Sequence, residues 1–433
     1  MSPTPDPASA AHDSAARDST AHSSAAQGFA TRGPASRQVY LDHAATHPVL
    51  PAAARAYQEQ LLRGGNPSSL HGSGRAARRV LETSRDAIAA ALDADPVEVV
   101  LTSGGTEADN LAVTGLWRAR TQEDPRRRRV IVSSIEHPAV LEPAQALARH
   151  DGAVLEHLEV DELGRADPHR LRALLAQDPG SVALVAVMWA NNEIGTVQPI
   201  ARLAQVCAEF EVPLHVDAVQ AFGALPVEAC LPGLTTLAVS GHKIGAPVGS
   251  GALVVGRTAS LSPILHGGGQ QRGLRPGTLD AAGAAGFAAA VAEVTRDLPG
   301  EYERLAALRD RLVDGIRGAV PEAVLRGPAD RGHDGARLPG NAHFTFPGCE
   351  GDSLLFLLDG AGFATSTGSA CTAGVPRPSR VLLALGLDEQ TARGAQRFTL
   401  GHGSSAEDVD ALLEALPGLH RRARAAGMVG LGA

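Results

Sequence analysis

Seven short apolar runs, separated by longer amphipathic segments, constrain this chain more than any other feature: VEVVLTS (97–103), VIVSS (130–134), AVLEHLEV (153–160), SVALVAVM (181–188), VPLHVD (212–217), TTLAVS (235–240) and GALVVG (251–256). Several are apolar throughout rather than alternating, the pattern of parallel strands covered by helices on both faces. The expected class is α/β. After about residue 299 the text becomes an Arg- and Leu-rich helix (EYERLAALRDRLVDGI), then a strand at NAHFTF, then a helix at GDSLLFLLDG. This predicts a large α/β domain over 52–298 and a smaller α+β domain built from 37–51 and 299–427. Residues 1–36 are mostly small and polar, a composition that cannot offset the entropy of ordering, and are expected to form a disordered tail. That tail lacks the apolar centre of a secretory signal, and Asp6, Asp13 and Asp18 fit an organelle transit peptide poorly.

Composition excludes several functions. No run approaches the roughly 18 apolar residues that a membrane span needs. The formal net charge of -8 argues against a general nucleic-acid surface, which requires an excess of Lys and Arg on one face. Cys207, Cys230, Cys349 and Cys371 form no CxxC pair and no metal-ligand spacing, so neither a zinc site nor a disulfide framework is expected. A reducing, cytoplasmic setting and small-molecule chemistry fit best.

Of the 39 Lys and Arg residues, only Lys243 is lysine. Arginine replaces lysine readily as surface charge, but a guanidinium stays protonated and cannot condense with a carbonyl as an amine can. The alternative is a lysine left at a neutral site. Lys243 lies just beyond a strand, in VSGHKIGAPVG, and Asp217 ends the strand of LHVDAVQ. In a parallel sheet both fall on the carboxyl edge, where ligands bind. A strand-end Asp alone reads as a cap or turn residue. Together, an amine and a carboxylate are the minimum kit for pyridoxal phosphate: one holds the aldehyde, the other keeps the pyridine nitrogen protonated. A phosphate site is visible at LTSGGTEADNLAV, where Gly104, Gly105 and Thr106 lead into a helix whose free N–H groups favour an anion. Ser240 and His242 supply further donors.

In order, YLDHAATHP, GNPSSLHGSGRAA, TSGGTEADNLA, EHPAVLEP, NNEIGTVQPI, HVDAVQAFG, SGHKIGAPVGSGAL, GGGQQRGLRPGTL, TSTGSACTAG and QRFTLG resemble a cysteine desulfurase of the class V aminotransferase group, from residue 39 to about 415. The resemblance implies a fold-type I transferase dependent on pyridoxal 5'-phosphate, with a mainly parallel seven-stranded sheet and a smaller α+β domain that carries a cysteine loop. It implies that Lys243 binds the cofactor aldehyde and later moves the substrate's α-proton, and that His137 stacks on the ring and assists proton transfer. Asp217 would pair with the pyridine nitrogen and Gln220 with the phenolic oxygen. Gly105, Thr106, Ser240 and His242 would hold the phosphate, and Thr278 would reach the phosphate of the partner subunit of a homodimer. Arg397, with Asn192, would clamp the substrate carboxylate, a task suited to the guanidinium fork.

The resemblance makes Cys371 the acceptor of sulfur from L-cysteine, forming a persulfide and leaving alanine. Small residues on either side (Ser366, Thr367, Gly368, Ser369, Ala370, Thr372, Ala373, Gly374) suit a tether that carries sulfur to an acceptor, such as an iron-sulfur scaffold or thiolation partner. The alternatives are selenocysteine lyase or another class V activity, and a cofactor-binding scaffold without turnover. Aminotransfer would not need Cys371, and a scaffold would not need Lys243, His137 and Cys371 together. Departures from the family pattern are Gln271 where Glu is usual, Pro276 where a small residue is usual, and His402 where a basic residue is common. The DPRRRR stretch (124–129) is expected to be a solvated loop, with a docking patch for an acidic partner as the alternative.

Overall fold

A computed structural model describes residues 38–329, 336–368 and 378–430, with side chains to 425. The expected tail and Cys371 lie outside the described residues. β1 (Val39–Tyr40) opens the described chain. The seven apolar runs then become β2 (Val99–Thr102), β3 (Arg129–Ser133), β4 (Val154–Leu158), β5 (Val182–Met188), β6 (Leu214–Asp217), β7 (Leu234–Ser240) and β8 (Gly251–Val255). They form one sheet in the order β2-β8-β7-β6-β5-β3-β4. β8 runs antiparallel to both neighbours, and every other pairing in the sheet is parallel.

The apolar runs do not alternate because both faces of this sheet are covered. Successive strand residues point to opposite faces, and in β5 Val185 and Val187 join one buried cluster while Leu184 and Ala186 join another. All seven residues of β5 are buried. β4, at the sheet edge, is the most exposed strand of the sheet, so it tolerates Glu156 and His157.

Beyond the sheet, helices Leu298–Ala319 and Gly351–Gly360 and strand β10 (Asn341–Thr345) match the sequence expectation. Three further strands do not appear in it: β9 (Val324–Leu325), β11 (Phe363–Ala364) and β12 (Ala395–Thr399). β12, β10 and β9 make an antiparallel sheet in that order, and β1 pairs with β11 in parallel. Leu41, Leu312, Phe344, Phe346, Phe398 and Leu412 share the core beneath these strands. The β1–β11 pairing therefore draws the first described residues onto the last third of the chain. Thr399 N donates to Leu41 O at 2.7 Å, and Ala44 N donates to Thr399 Oγ1 at 2.9 Å. This places the turn that follows, residues 42–47, against β12.

Leu184 is fully buried in the middle of the sheet. Leu184→Ala should weaken resistance to urea by about 2–5 kcal/mol, the usual cost of a large-to-small core change. Unfolding followed by far-ultraviolet circular dichroism checks this, and an unchanged midpoint would contradict the packing described.

Candidate active site

The carboxyl edge of the parallel strands gathers most of the residues singled out from the sequence. β6 ends on Asp217, and β7 ends on Ser240 and runs into a single 3-10 turn, Gly241–Ile244, that carries His242 and Lys243. β3 leads to His137, the N-cap of helix Pro138–His150, whose Nδ1 accepts from Ala139 N at 3.1 Å. β2 leads through Gly104 into helix Gly105–Glu123.

That last turn is built for close approach. Gly104 has φ 150°, which disfavours any side chain, and a Cβ on Gly105 would lie 2.7 Å from Val219 Cγ2. The glycines bring the helix start beside Ser240, whose Oγ would be 3.8 Å from a Cβ on Gly104. Ser240 Oγ is buried and has no hydrogen-bond partner among the described residues. A buried, unpartnered hydroxyl beside a helix start is a feature that a bound phosphate would satisfy. Thr106 stands in the first turn of the same helix. His242 Nδ1 lies 3.2 Å from Thr46 Oγ1.

Lys243 Nζ donates to Ala44 O at 2.6 Å and to Ala45 O at 2.9 Å. Burial lowers its pKa to about 8, with Arg397 adding repulsion and Asp217 and Asp42 opposing the shift. Gln220 Nε2 donates to the same Ala44 O at 2.9 Å, which sets the Gln220 amide beside the amine. Asp217 is buried and accepts from Val219 N at 2.9 Å. Burial raises its pKa, and the positive potential of His137 and Lys243 draws it back. His137 is shifted down, chiefly by burial, with Asp217 opposing the shift. His137, Asp217 and Lys243 thus lie within electrostatic range of one another.

Arg397, on β12, is buried. Its Nη1 donates to Asn192 O at 2.9 Å and its Nη2 to Asp42 Oδ1 at 2.8 Å, while Nε has no partner among the described residues. Asn192 meets the guanidinium through its main chain. Thr278 is exposed on this chain, three residues beyond Arg275, whose Nε donates to Glu107 Oε1 at 2.8 Å.

Other sequence features resolve differently. Cys207 is core, its thiol pushed up to about 12 by burial. Cys349 is buried, and Cys230 is exposed with its thiol donating to Asp93 Oδ2 at 2.7 Å. In the arginine run, Arg126 pairs with Asp124, Arg127 with Glu123 and Arg129 with Glu156, which leaves little free charge for an acidic partner. Gln271 explains its own departure: Oε1 accepts Leu101 N at 2.7 Å and Nε2 donates to Leu101 O at 2.8 Å, and a Glu carboxylate could make only the first of these bonds. His402 Nδ1 lies 2.9 Å from Glu301 Oε1.

Sequence reasoning did not identify Asp42, Ala44 or Ala45 as parts of the site. Asp42 reads as an ordinary turn aspartate, and the two alanines act through main-chain carbonyls. The one available signal was that a buried arginine requires a carboxylate.

The chain belongs to the class V aminotransferase family, whose model matches residues 39–412. Among similar proteins, one from Mycobacterium tuberculosis (strain ATCC 25618 / H37Rv), named IscS-like cysteine desulfurase, is 50% identical over 394 residues, covering 91% of this chain and 99% of the relative. Cysteine desulfurase IscS of Clostridium botulinum (strain Kyoto / Type A2) is 37% identical over 90% of this chain and 96% of its own length. A solved NifS-like protein superposes with TM-score 0.79 at 31% identity, over 89% of this chain and 100% of that one.

Because Lys243 is the sole lysine, an amine-specific reagent reports it almost alone. Acylation of Lys243 in the cofactor-free protein, followed by peptide mass spectrometry, should rise with pH and level off above about 8. A midpoint near that of a free lysine would show that burial does not depress the amine.

Proposed function

We propose that this chain is a pyridoxal 5'-phosphate-dependent cysteine desulfurase that converts L-cysteine to L-alanine and leaves the sulfur on Cys371 as a persulfide. The observation that carries the reading is the meeting of the only lysine with Asp217 and Arg397 in one electrostatic neighbourhood. These are an amine for the aldehyde, an anion for the ring nitrogen and a cation for the substrate carboxylate.

The residues fit the cofactor. Ser240 Oγ, unpartnered among the described residues, would hold the phosphate with Gly105, Thr106 and His242. Asp217 would face the pyridine nitrogen, Gln220 the phenolic oxygen, and His137 the ring. When bound, pyridoxal phosphate supplies an electron sink for the substrate's Cα. Lys243 moves the α-proton, and burial keeps a useful fraction of its amine unprotonated near neutral pH. Arg397 holds the α-carboxylate, with Asn192 O fixing one end of the guanidinium. The Cys371 thiolate attacks the substrate sulfur. An S–S bond forms as the C–S bond breaks, the carbon keeps that electron pair and takes up a proton, and no outside oxidant is required.

Thr278 reaching the partner subunit's phosphate makes a homodimer the complete unit. The sulfur passes from Cys371 to an acceptor protein of the iron-sulfur or thiolation type. The division at 51/52 and 298/299 forms part of the same reading, as does a cytoplasmic site of action. Among the described residues, no helix is long and apolar enough to cross a membrane.

Sulfide released from L-cysteine in the presence of a reducing thiol tests the reading, with the protein and its Cys371→Ala variant at equal cofactor loading. The variant should lose on the order of a hundredfold or more, as expected for removal of a covalent nucleophile. Equal release from both would rule out the persulfide route.

A further inference from the structure

Arg397 presents a problem of charge that its proposed role does not solve. A buried guanidinium is stable only with a counter-charge or enough hydrogen bonds, and its surroundings offer few anions. His343, opposite it across β10 and β12, is pushed down to about 3, first by burial and then by the nearby arginines, and is neutral. Glu193 is buried, is shifted up by burial, and accepts the Ser379 hydroxyl. Asp42 alone makes an ion pair with Arg397 among the described residues, at 2.8 Å.

Asp42 is held firmly. Tyr40 OH donates to Asp42 O at 3.1 Å and to Thr46 O at 2.9 Å, closing the turn. His43 Nδ1 lies 2.9 Å from Thr399 O, and His47 N donates to His242 O at 3.0 Å. Two and three residues beyond Asp42, the carbonyls of Ala44 and Ala45 take the Lys243 amine. One short turn therefore fixes both the guanidinium and the amine, and with them the separation between carboxylate recognition and the reacting α-carbon. Asn192 O and Asp42 occupy one N–H on each terminal nitrogen of Arg397, leaving Nε as a buried donor without a partner among the described residues.

We propose that Asp42 is a positioning residue for substrate selection: it holds the Arg397 guanidinium so that the unpartnered Nε receives the α-carboxylate of an amino acid, which makes the site selective for carboxylate-bearing amines. The inference rests on Arg397 being the carboxylate clamp of the reading above. Asp42 does not touch the substrate. It offsets the charge of Arg397 when the site is empty and restricts its rotation when the site is filled, so an incoming carboxylate meets a donor already aimed.

The test uses the cofactor-loaded protein and two ligands that cannot lose sulfur: L-alanine, and ethylamine, which is alanine without its carboxylate. Binding is read from the absorption of the bound cofactor, independently of turnover. Asp42→Ala should weaken L-alanine about tenfold or more, the scale of losing a hydrogen bond to a charged group, and leave ethylamine within about twofold. Asp42→Asn, which keeps an acceptor and loses the charge, should fall between. For L-cysteine the KM should rise with kcat within about threefold, the pattern of lost ground-state binding. Melting temperature and cofactor content show whether each variant is folded, and should Asp42→Ala not fold, Asp42→Asn carries the comparison.

Equal weakening of both ligands would make Asp42 merely structural and overturn the proposal. So would unchanged alanine binding. Arg397→Ala separates the two readings. If it leaves the preference for alanine over ethylamine intact, the clamp itself is wrong and Asp42 falls with it. If it abolishes the preference while Asp42→Ala does not, only the role of Asp42 is lost.

Discussion

The bonds from the Lys243 amine to the carbonyls of Ala44 and Ala45 join the parts of this molecule that the proposed site needs together. An amine taken out of water must find acceptors, and here they come from a turn almost 200 residues away in sequence. That turn reaches the amine only because β1 pairs with β11 and Leu41 O accepts from Thr399 N. The beginning of the described chain, the carboxyl edge of the large sheet and β12 therefore have to fold together before the site exists.

Charge in this region is arranged by burial more than by exposed pairing. Burial pulls Lys243 down and pushes Asp217 up, and each is partly restored by the other. The buried Asp217 carboxylate has positive potential nearby but no hydrogen-bonded cation among the described residues. A protonated ring nitrogen would relieve that carboxylate, as a phosphate would satisfy Ser240 Oγ. Arg397 differs, because Asp42 is its counter-ion. Under the proposed function, Arg397 is thus already paired, whereas Ser240 Oγ and Asp217 are the groups that the cofactor would satisfy.

Legibility in the sequence followed the same physics. The central strands of the large sheet could be read because burial on both faces keeps their runs largely apolar, most fully in β5, while edge strand β4 keeps Glu156 and His157. β1, β9 and β11 are two-residue strands with no periodicity to detect, and β12 was hidden because its sequence, AQRFT, carries a buried arginine and glutamine. Lys243 could be found because arginine has displaced lysine everywhere else, and Asp217 because it ends a strand at the same edge. Asp42 could not, since an aspartate in a turn usually caps its own backbone, and its partner lies 355 residues away. Gln271 looked like a loss from the family pattern, yet its amide makes two bonds to Leu101 where a carboxylate could make one.

The central claim is that sulfur rests on Cys371 between its removal from L-cysteine and its delivery. Mass spectrometry of the Cys371 peptide, after a brief exposure of the cofactor-loaded protein to L-cysteine without any reducing thiol, tests it most directly. The account expects that peptide to gain the mass of one sulfur atom, which a reducing thiol then removes, with no such gain on Cys207, Cys230 or Cys349. Alanine formed in equal amount to the protein, with Cys371 unmodified, would contradict it.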